Sequence, residues 1–348
     1  MTTDSTTDAL LSVENLHVEF DTYGGTVQAV RGISFDVYPG KTLAIVGESG
    51  CGKSVTVQSI MGLIPMPPGR ITQGSVRLKG QNILNNTTIN GEDIRGSQIG
   101  MIFQDPMTSL NPTMTIGKQI GETLTVHRGY TQKQAYARAI ELLDMTRIPE
   151  ARKRASQYPF EFSGGMLQRA MIAVALACEP AILIADEPTT ALDVTIQSQI
   201  LDLMKDLQLE NSMSIILITH DLGVVARMAD DVLVMYAGQV VERGSAAHIF
   251  YESAHPYTLG LKAAMPSNTS EQVQKLTPIE GSPPDLFSPP KGCAYAARCP
   301  HVMHICENRP VNQSFELGGE HQSACWLHHK QCDSSAPGLF KNQAGGQS

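Results

Sequence analysis

Two short glycine runs constrain this chain more than any other feature. Gly47-Glu48-Ser49-Gly50-Cys51-Gly52-Lys53-Ser54 follows G-x-x-x-x-G-K-[ST], and Phe162-Ser163-Gly164-Gly165-Met166 stands ahead of Ala181-Ile182-Leu183-Ile184-Ala185-Asp186-Glu187. In the first run, Gly47, Gly50 and Gly52 let backbone N–H groups turn inward on a phosphate. Lys53 adds a fixed positive charge, and Ser54 offers its hydroxyl to Mg²⁺. Ser49 and Cys51 fill the loop between the glycines; Cys51 reads as a small filler, with no base nearby to make it a nucleophile. The second run sets bare glycines at a helix start, where an uncovered backbone suits the approach of an anion.

The segments around these runs fix the fold class. Thr42-Leu43-Ala44-Ile45-Val46 is an apolar strand leading straight into the first glycine loop, and 181–185, 214–219 and 232–235 are of the same kind. Strands apolar on both faces belong in a parallel sheet covered by helices, so the core is α/β. Leu11-Ser12-Val13, Val18-Glu19-Phe20 and Ile33-Ser34-Phe35-Asp36-Val37 alternate instead, as half-exposed antiparallel strands do. Thr131-Gln132-Lys133-Gln134 predicts a capped helix to about Met145, with Ala135, Ala139, Leu142 and Leu143 on one face. Ser163 is a natural N-cap for a helix through Ala177, ended before Pro180.

Asp186 and Glu187 close a buried strand, at the edge of an open α/β sheet where ligands bind. His220 follows another such strand, and Gln104 stands before the turn residues Asp105-Pro106. By spacing alone either could be structural.

The 348 residues carry 34 acidic and 26 basic side chains, a net −8, so no basic field points to nucleic acid. The N-terminus has neither the positive start nor the apolar run of a secretory signal, and no apolar stretch reaches about 18 residues. The chain is expected to dock on a membrane protein rather than span a bilayer. The organisation we expect is a disordered tail over 1–9, a nucleotide-binding domain over 10–262, a loop-rich lobe over 263–332 and a second disordered tail over 333–348.

Five of the seven cysteines crowd the end of the chain. Cys293, Cys299, Cys306 and Cys325 are separated by 5, 6 and 18 residues, unlike a zinc ribbon or an ordinary ferredoxin. The residues leave open an iron–sulfur cluster, a zinc site with help from His301, His304, His321, His328 or His329, or plain thiols.

With these motifs assembled, the chain resembles an ATP-binding cassette (ABC) ATPase of the oligopeptide/dipeptide importer group, the peptide/nickel branch, over roughly residues 10–330. The likeness rests on 47–54, Gln104-Asp105-Pro106-Met107-Thr108-Ser109-Leu110-Asn111-Pro112, 162–166, Asp186-Glu187-Pro188-Thr189-Thr190-Ala191-Leu192-Asp193, His220, His255-Pro256-Tyr257-Thr258 and the cysteine-rich end. It implies a P-loop ABC domain, with an antiparallel β subdomain, a parallel-sheet core and a helical subdomain, followed by a small Cys-rich extension. Phe162 and Met166 stand where many relatives have leucine and glutamine, a pattern usual for the peptide-importer branch.

The roles implied by this resemblance are specific. Gly47, Ser49, Gly50, Cys51, Gly52, Lys53 and Ser54 hold ATP; Asp186 orients Mg²⁺, which Ser54 and Gln104 also touch. Glu187 aligns or deprotonates the attacking water, and His220 contacts the γ-phosphate. Ser163, Gly164 and Gly165 bind the ATP held by an opposite subunit, with Asp193 tying the two sites together. Tyr23, or else Phe20, stacks on adenine. The same resemblance implies a [4Fe–4S] cluster on Cys293, Cys299, Cys306 and Cys325, with Cys332 left out. It also implies a second ABC ATPase subunit, two membrane permeases docked near the Gln104 loop, an extracytoplasmic peptide-binding protein, and a place on the cytoplasmic face of the bacterial inner membrane. Rival readings are the same engine importing nickel or glutathione, and a soluble cassette working on ribosomes or DNA. The latter usually shows two cassettes in one chain or a coiled-coil insertion, and neither is visible here.

Overall fold

The computed structural model describes residues 8–84, 93–190, 192–265, 278–311 and 314–332. The expected tails lie outside these residues apart from Asp8 and Ala9, as do Ala191 of the acidic motif and Pro266. In chain order the first strands are β1 (Leu11–Thr22), β2 (Gly25–Val37), β3 (Thr42–Val46), β4 (Gly69–Leu78), β5 (Gln81–Asn82) and β6 (Ile99–Ile102). They are followed by β7 (Ile182–Asp186), β8 (Ser214–Thr219), β9 (Asp231–Tyr236), β10 (Gln239–Ser245), β11 (Phe315–Gly318) and β12 (His321–Ser323).

One sheet is antiparallel, in the order β2-β1-β4-β5. The two short strands expected at 11–13 and 18–20 are one strand, and the sequence shows why. Leu11, Val13, Leu16 and Val18 are all buried, so the apolar positions take one step of three among steps of two. In a regular pleat that step would turn the rest of the strand inside out. Asn15 takes φ 46° and the register slips beside it, absorbing the extra residue as a bulge.

The larger sheet runs β11-β12-β10-β9-β3-β8-β7-β6. From β9 to β6 every pairing is parallel. Ile45, Ile184, Ile216 and Ile218 are fully buried, as strands covered on both faces require. Because β3, β6, β7 and β8 run parallel, their carboxyl ends open on one edge, and the first glycine loop, Gln104, Glu187 and His220 follow those ends.

The helical region has its own core. Helices Ile116–Arg128, Gln132–Met145 and Gly164–Leu176 share Ile120, Leu124, Ala139, Leu142, Leu143 and Ala170. Thr131 caps the second of them, with its side chain and Gln134 in a reciprocal capping box. Among the described residues no helix is long and apolar enough to cross a membrane.

The cysteine-bearing segment is grafted onto the rest rather than hanging from it. β12 pairs with β10 through Glu242↔Ser323 and Arg243↔Gln322, lengthening the main sheet. The Leu286 carbonyl also accepts the Gln28 N–H at 3.0 Å, joining the segment to β2. Tyr295 packs with Val46, Tyr236 and Tyr257 in an apolar cluster directly under the first glycine loop.

Candidate functional site

The first glycine loop joins β3 to a helix over Lys53–Ile60. Only glycine fits at its two ends. A Cβ on Gly47 would stand 2.3 Å from the Met235 carbonyl oxygen, and Gly52 combines φ +99° with a similar clash on the Ala29 carbonyl. Lys53 is buried, and its ammonium donates to the Gly47 and Glu48 carbonyls at 2.7 and 3.0 Å. Ser49 and Gly50 are exposed at the tip of the loop. Cys51 is buried beneath it, and burial pushes its thiol pKa up, consistent with a filler rather than a nucleophile.

The Ser54 hydroxyl donates to Asp186 Oδ1 at 3.0 Å, bringing together residues far apart in the chain. Asp186 is buried, and desolvation raises its pKa, partly offset by that hydrogen bond. A desolvated carboxylate beside a hydroxyl is a set of hard oxygen donors that a small divalent cation would relieve, so these residues fit Mg²⁺.

Glu187, one residue on, has φ 48°, a left-handed conformation unusual for a side-chain-bearing residue. Its N–H donates to the Ile218 carbonyl at 2.9 Å, which fixes the turn against β8. That turn swings the carboxylate over the sheet edge, where three side chains meet it. Gln104 Nε2 and Thr190 Oγ1 each donate to Oε2 at 3.0 Å. His220 Nδ1 lies 3.2 Å from Oε1. Gln104 and His220 come from the ends of β6 and β8, held by neighbours that cap the next helical turn. Asp105 accepts the Met107 N–H at 2.8 Å, and Asp221 accepts that of Gly223 at 2.7 Å. Thr190 was missed in the sequence; its offset of three from Glu187 is the turn spacing that would have found it.

The second glycine run opens the helix Gly164–Leu176, as its N-cap serine predicts. Ser163, however, makes no capping hydrogen bond, so the hydroxyl stands exposed beside uncovered backbone N–H groups. A Cβ on Gly165 would press on Ile196 at 3.0 Å. Asp193 caps its own helix, Val194–Asn211, accepting the Thr195 and Ile196 N–H groups at 3.0 and 2.9 Å. Tyr23 is fully exposed in the β1–β2 turn, whereas Phe20 is half-buried against the core.

At the other end, Cys293, Cys299, Cys306 and Cys325 line a single small cavity together with His255. Cys332 is not part of that lining and sits 3.7 Å from the Met303 sulfur. Burial pushes the Cys299 thiol up to about 11 and raises those of Cys293 and Cys325. His255 is fully buried, and its Nδ1 accepts the Tyr257 N–H at 3.1 Å, which leaves the ring proton on Nε2. Nε2 has no hydrogen-bond partner among the described residues. An orphaned donor in a cavity lined by soft ligands suits a thiolate-held group. Even so, among the described residues no three His, Cys, Asp or Glu side chains are grouped to hold a metal ion, so the expected iron–sulfur centre is not carried by the geometry.

Comparison with known proteins gives concordant results. A family model described as ABC transporter matches residues 30–190, and one described as oligopeptide/dipeptide transporter, C-terminal region, matches 241–306. The chain is 54% identical over 326 residues to the dipeptide transport ATP-binding protein DppD of Bacillus subtilis, covering 94% of this chain and 97% of the relative. It is 51% identical over 311 residues to the oligopeptide transport ATP-binding protein OppD of Salmonella typhimurium, covering 89% and 92%. Among solved structures, a dimeric ATP-binding cassette in a post-hydrolysis state, bound to ADP and Pi, superposes with a TM-score of 0.61 at 27% identity, over 68% of this chain and 98% of that one. The cbiO1 protein of Clostridium perfringens, part of the ABC transporter complex cbiONQ, gives 0.58 at 28% identity, over 73% and 96%.

Proposed function

The chain belongs to the ATP-binding subunits of ABC transporters, in the oligopeptide/dipeptide group, and on that premise we propose how its residues energise peptide import. It hydrolyses ATP to ADP and phosphate, and that reaction drives di- or oligopeptides through membrane permeases. The observation that supports the site assignment is the convergence of Gln104, Thr190 and His220 on the Glu187 carboxylate, next to Ser54 and Asp186.

Each residue then has a task. The loop from Gly47 to Gly52 wraps the phosphates with backbone N–H groups, and Lys53 and the helix start behind it offset their charge. Ser54, Asp186 and Gln104 would hold Mg²⁺, which when bound neutralises charge on the phosphate oxygens. Glu187 accepts a proton from the water whose oxygen attacks the γ-phosphorus as the bond to the bridging oxygen breaks. His220 and Gln104 hold that carboxylate in place and reach the γ-phosphate side of the site. Tyr23, exposed at the hairpin tip, stacks on adenine. Ser163, Gly164 and Gly165 face the ATP of a second ABC ATPase subunit, an uncapped helix start being suited to an anion from outside; Asp193 steadies that junction. Two permeases near the Gln104 loop and an extracytoplasmic peptide-binding protein complete the transporter, at the cytoplasmic face of the inner membrane.

A nucleotide-binding domain over 10–262 is followed by the Cys-rich lobe over 263–332, and the cysteine cavity takes a [4Fe–4S] cluster. What favours the cluster is that the four cysteines border one cavity beside the unpartnered His255 Nε2; among the described residues the side chains are not drawn together as a ligand set. Protein purified without oxygen should absorb near ~400 nm and release acid-labile sulfide; absence of both would overturn it.

The transport reading is tested by growing cells whose only copy is wild type or Glu187→Gln on a toxic peptide analogue. Resistance confined to the variant is expected. Equal killing, in cells without a second importer for the analogue, would move the cargo to nickel or glutathione.

A further inference from the structure

The sequence assigns no function to Glu48, a free position of the glycine motif, or to Arg298, which precedes Cys299 in the C-terminal lobe. In the structure they are joined. Arg298 Nη1 and Nη2 donate to Glu48 Oε2 and Oε1 at 2.7 and 3.0 Å, a two-point pairing of guanidinium and carboxylate. The remaining guanidinium donors are also matched. Nη1 reaches Tyr236 Oη at 3.2 Å, Nη2 the Ile279 carbonyl at 3.2 Å, and Nε the Glu280 carbonyl at 2.9 Å. The Arg298 side chain is only 5% exposed, so this is a built site and not a surface ion pair.

Every polar group of Glu48 is held. Its N–H donates to Tyr257 Oη at 2.9 Å, its carbonyl accepts Lys53 Nζ at 3.0 Å, and Arg298 grips its carboxylate. The first turn of the phosphate loop is therefore fixed from outside the nucleotide-binding motif, by an arginine of the cysteine lobe and a tyrosine of the helix Pro256–Ala263. A carboxylate on a phosphate loop also opposes a polyphosphate, and a buried arginine is the side chain that can cancel that charge while fixing its direction.

We infer that Arg298 is a positioning residue for ATP: it neutralises and orients Glu48, so the cysteine lobe sets the affinity of the phosphate loop for nucleotide. The inference rests on the ATPase reading above. It requires no particular group in the cysteine cavity.

The test is a double-mutant cycle on the assembled transporter, comparing wild type, Arg298→Ala, Glu48→Gln and the double variant in ATP titrations. Trp326, the chain's single tryptophan, lies in the lobe and reports its folding in each protein. Removing the arginine strands a carboxylate beside the phosphates, so Arg298→Ala should raise KM for ATP about tenfold and leave kcat within about twofold. Glu48→Gln should restore most of that loss in the double variant, which a purely structural role for Arg298 would not allow. An unchanged KM in Arg298→Ala, or an equal rise in the single and double variants, overturns the inference. If Trp326 emission shows that Arg298→Ala opens the lobe, Arg298→Lys carries the test: an ammonium cannot match both carboxylate oxygens, so KM should still rise, and a wild-type KM overturns it. A wild-type transporter that fails to hydrolyse ATP refutes the ATPase reading itself; a working wild type with an indifferent Arg298→Ala sinks this inference alone.

Discussion

The hydrolytic edge and the cysteine lobe share one eight-stranded sheet, yet they are assembled in opposite ways. At the edge, Gln104, Asp186, Glu187 and His220 each stand at or just past the end of a parallel strand, and the sheet delivers them to one place. In the lobe, regular structure is scarce: its described residues form two short strands and helical pieces of three to five residues, and four cysteines stand round a cavity among them. Besides the pairing of β12 with β10 and the apolar cluster around Tyr295, the lobe is held by a few buried polar anchors. Glu242 accepts the Ala254 and His255 N–H groups at 2.7 and 2.9 Å and the His321 ring at 2.9 Å, and Arg298 ties the far side to the phosphate loop. A sheet spreads the work of positioning over many backbone hydrogen bonds; the lobe concentrates it in single side chains, where one substitution should reach much further.

That contrast can be broken by experiment, beginning at the edge. Lys53→Ala removes the buried cation of the phosphate loop and should lower ATP hydrolysis at least about 100-fold without opening the lobe, read by phosphate release and by Trp326 emission. His220→Ala should cost about 100-fold in kcat and little in KM, since it removes a partner of Glu187 and no phosphate-loop contact.

In the lobe the effects should fall on stability. Glu242→Ala leaves three buried donors without their acceptor and should destabilise the lobe by about 3 kcal/mol, seen as an earlier Trp326 transition in denaturant. KM for ATP should rise only where that transition has begun. A variant as stable as wild type would mean that the lobe is held by something more distributed.

Smaller effects sharpen the picture. Burial holds the His255 pKa down to about 4, against 6.5 in the unfolded chain. The unfolded chain therefore takes up the proton first. The contribution to stability is complete above pH 6.5 and is lost as pH falls towards 4, at about 1.4 kcal/mol per unit. His255→Asn should flatten that slope in Trp326 transitions measured across the window; an unaltered slope would assign it to other groups. Tyr23→Ala should raise KM for ATP about threefold, the worth of one exposed stacking contact, and leave kcat unchanged.

The sequence showed the hydrolytic edge far better than the lobe, for a physical reason. A phosphate loop needs glycines at fixed offsets, and a buried strand ending in two acids is legible because apolar residues on both sides leave little else it could be. Gln104 and His220 were weaker: their spacing suits an ordinary turn, and only the resemblance gave them roles before the structure placed both on Glu187. The bulge at Asn15 was hidden because periodicity reads a step of three as a break between strands. Arg298 and Glu242 were invisible. Their partners are fixed by tertiary pairing across 250 and 79 residues, and no local pattern encodes such a contact.

The most direct test of the central claim is the rate of phosphate release by the assembled transporter carrying wild-type chain or Glu187→Gln. Amide for carboxylate keeps the size and hydrogen-bonding reach of the side chain but removes the proton acceptor. The account predicts that kcat falls by about 100-fold or more while ATP still binds. Steady-state hydrolysis equal to wild type would contradict it.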